Sequence, residues 1–190
     1  MARPPVIAAL LVLCFGAALP APPPGDGFAA DTVVRAALRE AFEGRDSAGL
    51  AISYRPVVLD SATRTAITVS TKSPFPDDTL RLYSCERGGS IAGYGVMDNV
   101  KGKSRAITYL VLLTPAGEVS GIEILVYRES HGGEIASASF REQFAGKKPG
   151  DRLLPGRDIR TISGATISSR SVTAGVAKVM AAFAAIKDGL

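Results

Sequence analysis

Apolar residues recur at Val34, Leu38 and Phe42 in the stretch DTVVRAALREAF, and this four-residue spacing predicts a short helix over Asp31–Phe42 with Asp31 as its cap. The following LAISYRPVVLDSATRTAITVS contains β-rich runs and reads as extended, and SPFPDD reads as a turn. TLRLYSCE alternates like a half-buried strand, with Leu80, Leu82 and Ser84 on one face. GGSIAGYGVMDNVKGKS carries Gly88, Gly89, Gly93, Gly95 and Gly102, as expected of a strand whose backbone lies close to another element. AITYLVLL, TPAGEVS and GIEILVY form the clearest hairpin, with Pro115 and Gly117 in its turn. SASFREQFAGK predicts a short helix that starts near Ser137 or Ser139 and stops at Gly146. From Ile167 or Ser168 to Ile186 the pattern is again helical, with Val172, Val176, Val179, Met180, Phe183 and Ile186 apolar. Strands, a hairpin and separate helices, without an internal repeat, predict an α+β fold: an antiparallel sheet with hairpins, packed by helices that include a long C-terminal one.

The N-terminus is patterned differently. Arg3 precedes an uncharged run whose apolar centre is Val6–Leu19, and small residues follow. This is the pattern of a secretory signal. Cleavage near Ala29 would put Gly27 and Ala29 at the small-residue positions, and Pro20 to Gly27 reads as a linker. The apolar centre is short of the about 20 residues that span a bilayer, yet it also suits a retained anchor. Residues 1–30 are therefore expected to be a signal peptide or anchor plus linker, 31–79 a helix with a β-rich segment, and 80–190 the principal domain. The expected location is exported, either periplasmic or on the outer face of the cytoplasmic membrane.

Composition changes this picture only by exclusion. The chain is 46% apolar and 21% charged, an ordinary globular balance. Its net charge of +4 is scattered, with no basic stripe interleaved with aromatics, which argues against nucleic acid as a partner. Its 2 cysteines, Cys14 and Cys85, exclude a disulfide framework and a cysteine metal site. The lone His131 gives no metal cluster either. Cys85 reads as a small buried apolar residue.

The chemistry is concentrated in RTISGATISSR, Arg160 to Arg170. Gly164 permits a left-handed turn just before the long helix, whose first N–H groups have no partner inside it. Hydroxyls from Ser163, Thr166, Ser168 and Ser169 cluster at that helix start, a setting suited to a phosphate. Ser168 or Ser169 can also simply cap the helix. A Ser/His hydrolase is disfavoured, because TISGAT lacks the G-x-S-x-G elbow.

SGATISS before a C-terminal helix resembles the flavin-attachment motif of the FMN-binding domain family. That family includes the G subunit of the Rnf electron-transport complex and the C subunit of the sodium-translocating NADH:quinone reductase. GYG at Gly93–Gly95, the hairpin, YRESHGGEI and FREQFAGK stand in the order expected of the family, so the resemblance covers about residues 80–186. It implies FMN joined through its phosphate to the Thr166 hydroxyl by a flavin transferase. Gly164 and Ala165 then leave room for the transferase, and Ser163 supports the turn. Glu129, Ser130, His131, Gly132 and Gly133 lie near the flavin, with Glu129 and His131 as candidate proton handlers, and Tyr94 is a candidate to stack on the ring or pack in the core. The family usually has Asp three residues before the Ser or Thr of the motif, where this chain has Arg160. That departure bears on covalent attachment more than on flavin binding, and Arg160 itself can pair with a phosphate. The implied function is electron transfer among redox partner proteins or within a membrane complex. A flavin-free binding or regulatory module of the same fold is the alternative.

Overall fold

The structure, a computed structural model, describes residues 26–43 and 49–190. The expected leader lies outside the described residues as far as residue 25. Its elements in chain order are α1 (Asp26–Phe42), β1 (Leu50–Val58), α2 (Ser61–Thr71), β2 (Thr79–Arg87), β3 (Ser90–Lys101), β4 (Ala106–Leu113), β5 (Val119–Tyr127), α3 (Ala138–Arg141) and α4 (Thr166–Ile186). The five strands form one antiparallel meander in the order β1-β2-β3-β4-β5. The fold is α+β, as the pattern of elements predicts.

Tight turns join the strands as their residues demand. Gly88 (φ 56°) and Gly89 (φ 77°) make a two-residue hairpin turn, which needs positive φ at both positions. Gly117 closes the β4–β5 turn by donating its N–H to Thr114 O at 2.9 Å.

Both faces of the sheet are covered, which is possible because successive side chains on a strand point opposite ways. On one face Leu80, Leu82, Val96, Ile107, Val111 and Ile122 pack with Val172, Val176, Val179 and Phe183 of α4. On the other, Tyr83, Cys85, Leu110 and Leu112 pack with Val34 and Leu38 of α1. β2 is therefore not half-buried as its alternation suggests: α1 covers the face opposite Leu80 and Leu82. Cys85 is fully buried, and burial pushes its thiol up to about 11.

Glycines set how closely the helices approach. A Cβ on Gly95 would stand 2.6 Å from Leu38 Cδ2, and one on Gly93 would stand 2.3 Å from the Phe42 ring. The element that the glycine-rich strand approaches is thus α1. On the opposite face a Cβ on Gly175 would stand 2.2 Å from the Tyr109 hydroxyl. Beside it, Lys178 of α4 is buried and reaches Asp98 on β3 at 2.8 Å. Tyr109 donates its hydroxyl to the same carboxylate.

Two further expectations are corrected. Residues 61–71, expected as extended, are helix α2. Asp60 caps it by accepting the Thr63 N–H at 2.7 Å, and Ile67 is buried against the core. The Thr65 and Thr71 hydroxyls donate to carbonyls one turn back at 2.8 and 2.7 Å, so the β-branched residues are accommodated within the helix. Helix α1 starts at Asp26 rather than Asp31. Asp31 lies inside it and accepts from Arg35 Nε at 2.7 Å, one turn on, instead of capping.

Candidate functional site

The antiparallel register brings the site together. Lys101 pairs with Ala106 and Ile107 with Tyr127, so the β3–β4 turn and the exit of β5 lie at the same end of the sheet. The start of α4 arrives there as well. Between these segments is a groove of about 850 Å³ lined by residues 103–104, Tyr127, 129–134 and 163–168. That volume lies in the range of small-molecule and cofactor sites, about 300–1,000 Å³.

One wall is the turn into α4. Gly164 has φ 80°, the left-handed geometry that the sequence assigns to it. Thr166 is the first residue of the helix, exposed, with its hydroxyl 3.5 Å from Ile162 O. Ala165 occupies the cap position, and among the described residues no side chain caps the helix. The N–H groups of Thr166, Ile167 and Ser168 therefore have no partner within the helix, and its positive dipole end meets the groove. Ser169 does not line the groove and does not cap. It is buried behind the turn, where its hydroxyl donates to Ala165 O at 2.9 Å and accepts the Ile162 N–H at 3.2 Å. Ser169 thus braces the turn from inside.

The second wall is the loop after β5. Gly132 has φ 88°, and a Cβ there would stand 2.7 Å from the Tyr127 hydroxyl and 2.8 Å from Ala165 Cβ. The glycine is what lets this loop touch the turn into α4. Tyr127 joins the two: its hydroxyl donates to His131 O and lies 3.2 Å from the buried Ser168 hydroxyl. His131 is exposed, with Nδ1 3.0 Å from the Ser130 hydroxyl. Gly133 is exposed and makes no close approach.

A third wall is the β3–β4 turn. Glu129 Oε1 accepts the N–H groups of Ser104 at 2.6 Å and Arg105 at 2.9 Å. These backbone hydrogen bonds hold its carboxyl below the usual range, so Glu129 stands ionised as a clamp on the turn. A Cβ on Gly102 would stand 2.6 Å from that same oxygen, so the clamp needs glycine there.

Eight of the candidate residues, Glu129 to Gly133 and Ser163 to Ala165, line the groove together with Thr166 and Ser168. Tyr94 does not. It is buried in the core, its ring 4.9 Å from Phe183 between centroids. Arg160 does not line the groove either. Its N–H donates to Gln143 Oε1 at 2.7 Å and its carbonyl accepts from Gln143 Nε2 at 3.4 Å. Asp158, the nearest acid, accepts the Leu154 N–H at 3.0 Å. The sequence reading missed Tyr127 and Lys103. Only the position of Tyr127, at the end of an apolar strand and directly before RESHGG, pointed to it.

Residues 102–181 match the FMN-binding domain. Two relatives are the G subunits of ion-translocating complexes. One is from the proton-translocating ferredoxin:NAD(+) oxidoreductase complex of Clostridium ljungdahlii, 39% identical over 102 residues, covering 50% of this chain and 55% of the relative. The other is from the Na(+)-translocating ferredoxin:NAD(+) oxidoreductase complex of Acetobacterium woodii, 30% identical over 111 residues, covering 53% of this chain and 54% of the relative. The chain thus spans about half the length of these relatives. The crystal structure of Shewanella oneidensis NqrC shares the fold with a TM-score of 0.53 at 16% identity, covering 72% of this chain and 83% of that one. No helix among the described residues is long and apolar enough to cross a membrane. Residues 102–181 thus match the FMN-binding domain, and over about half its length the chain is homologous to the G subunits of these complexes.

Proposed function

We propose that the chain is an exported or membrane-associated flavoprotein that carries electrons through FMN, with the FMN phosphate esterified to Thr166 by a flavin transferase. It would work with redox partner proteins, as one component of a membrane electron-transport complex. One observation carries the reading: an exposed threonine hydroxyl at the uncapped start of α4, open to a groove of about 850 Å³. Unpaired helix N–H groups and the dipole end favour a phosphate there. The groove extends from that point toward the β3–β4 turn, leaving room for the rest of the cofactor. Bound FMN would supply one- and two-electron chemistry, while the chain sets its position and surroundings. The Tyr127 hydroxyl and the Gly132–Ala165 contact keep the glycine loop against the anchor turn. Glu129 holds the β3–β4 turn and is engaged by backbone amides, which argues against its acting as a proton carrier. His131, exposed at the groove, is the remaining candidate for that role.

The alternative, a flavin-free module of the same fold, draws on Arg160 standing where the family usually has Asp. Intact mass of the denatured protein, made with flavin transferase present, decides between them. A gain of FMN minus one water, absent in Thr166→Ala, is the expected result. Unmodified mass together with protein that shows no flavin absorption would refute the proposal.

A further inference from the structure

Lys103 lines the same groove as Thr166, and neither the anchor turn nor the glycine loop uses it. Its place along the groove follows from a chain of contacts. Ala165 beside Thr166 touches Gly132, the loop runs back through His131 and Ser130 to Glu129, and Glu129 holds Ser104 and Arg105. Lys103 thus lines the groove from the β3–β4 turn, a different segment from the helix start that carries Thr166. A flavin tethered at Thr166 by its phosphate would have the rest of the cofactor in the groove that Lys103 also lines.

Charge singles Lys103 out further. It is the one Lys or Arg side chain among the described groove-lining residues, against Glu129 and Glu134. The Glu129 carboxylate is occupied by the backbone of the very turn that carries Lys103, and it feels the ammonium only as a minor, longer-range attraction. Lys103 is exposed, and among the described residues no ion pair within 4.0 Å takes it. The result is an exposed ammonium on a clamped hairpin turn, outside the ion pairs of the described residues.

We propose that Lys103 is a flavin-contacting residue, the cation that faces the ring when two-electron reduction leaves it anionic. This deepens the reading of the groove as an FMN site and rests on it. An ammonium at the ring favours the reduced over the oxidised cofactor and raises the midpoint potential.

The test is a spectroelectrochemical titration of flavin-loaded wild type, Lys103→Gln and Lys103→Arg, with Lys148→Gln as a remote charge-loss control. Lys103→Gln is expected to weaken the preference for reduced flavin at least tenfold, a fall of about 30 mV for a two-electron couple. Lys103→Arg keeps most of the wild-type potential, Lys148→Gln leaves it unchanged, and added salt narrows the gap between wild type and Lys103→Gln. An unchanged potential in Lys103→Gln at full flavin content overturns the proposal. So does loss of flavin content without a change in potential, which would place Lys103 at the phosphate end. Wild-type protein that takes up no flavin refutes the FMN reading itself, a separate result.

Discussion

Three glycines at the groove separate two costs that a single alanine substitution usually combines. Gly133 has neither a positive φ nor a neighbour within 4 Å of a built Cβ. Gly164 has φ 80° but open space around it. Gly132 has φ 88° and would place a Cβ 2.8 Å from Ala165 Cβ and 3.2 Å from Ala165 Cα. Alanine in the left-handed region costs about 1–2 kcal/mol. Forcing a methyl into a filled contact adds about 1–3 kcal/mol. The expected losses of stability are therefore under about 0.5 kcal/mol for Gly133→Ala, about 1–2 kcal/mol for Gly164→Ala, and about 2–5 kcal/mol for Gly132→Ala. In a chain of this size each kcal/mol lowers Tm by roughly 2–4 °C, so thermal unfolding resolves the series. Gly132→Ala also separates the glycine loop from the anchor turn, and flavin loading at Thr166 should fall with it. If Gly132→Ala melts within about 2 °C of Gly164→Ala, the contact with Ala165 is not the constraint described above, and the reasoning fails.

Two other outcomes follow from charged groups that hold the fold together. The Glu129 carboxyl has a folded-state pKa below its ordinary value of 4.5, so its contribution to stability is present above that value and is lost as pH falls through the lowered one. Glu129→Gln should therefore be less stable than wild type at neutral pH, with the two converging in acid; chemical denaturation at several pH values checks this, and a gap independent of pH would contradict it. Lys178→Met should cost about 3–5 kcal/mol, because it leaves Asp98 without its cation inside the fold. Urea midpoints would show the loss, and restoring stability with a second change, Asp98→Asn, would identify the stranded charge as its cause.

Local pattern carried most of the architecture. Alternation located β2, glycine content β3, the hairpin pattern β4 and β5, and apolar spacing α4, because those signals are local. The failures have physical causes as well. Residues 61–71 look extended by β-branched content, but the Asp60 cap, the hydroxyl bonds to backbone and the burial of Ile67 outweigh that propensity. At the site, Gly164 and the hydroxyl cluster were legible because turn and helix start are adjacent in sequence. Lys103 and Tyr127 were not, since only the pairing of β3 with β4 and of β4 with β5 brings residues 102–105 beside residue 127. Tyr94 shows the converse. It neighbours two glycines in sequence, but it pairs with Leu113, at the end of the β3–β4 ladder opposite the turn, and packs on Phe183 late in α4, away from the groove.

The seating of α4 bears on how the molecule comes apart. Residues buried in this helix run from Ser168 to Phe183, Gly175 sits against Tyr109, and Lys178 is paired within the fold. The hairpin turn and glycine loop opposite its start are held by far fewer contacts, chiefly the hydrogen bonds of Glu129 and Tyr127. Sub-global opening therefore begins on the hairpin side, and amide exchange there should be faster than along the body of α4. On the proposed attachment, a group bonded to Thr166 would ride on the unit that opens last, and the pocket could breathe around it without releasing it.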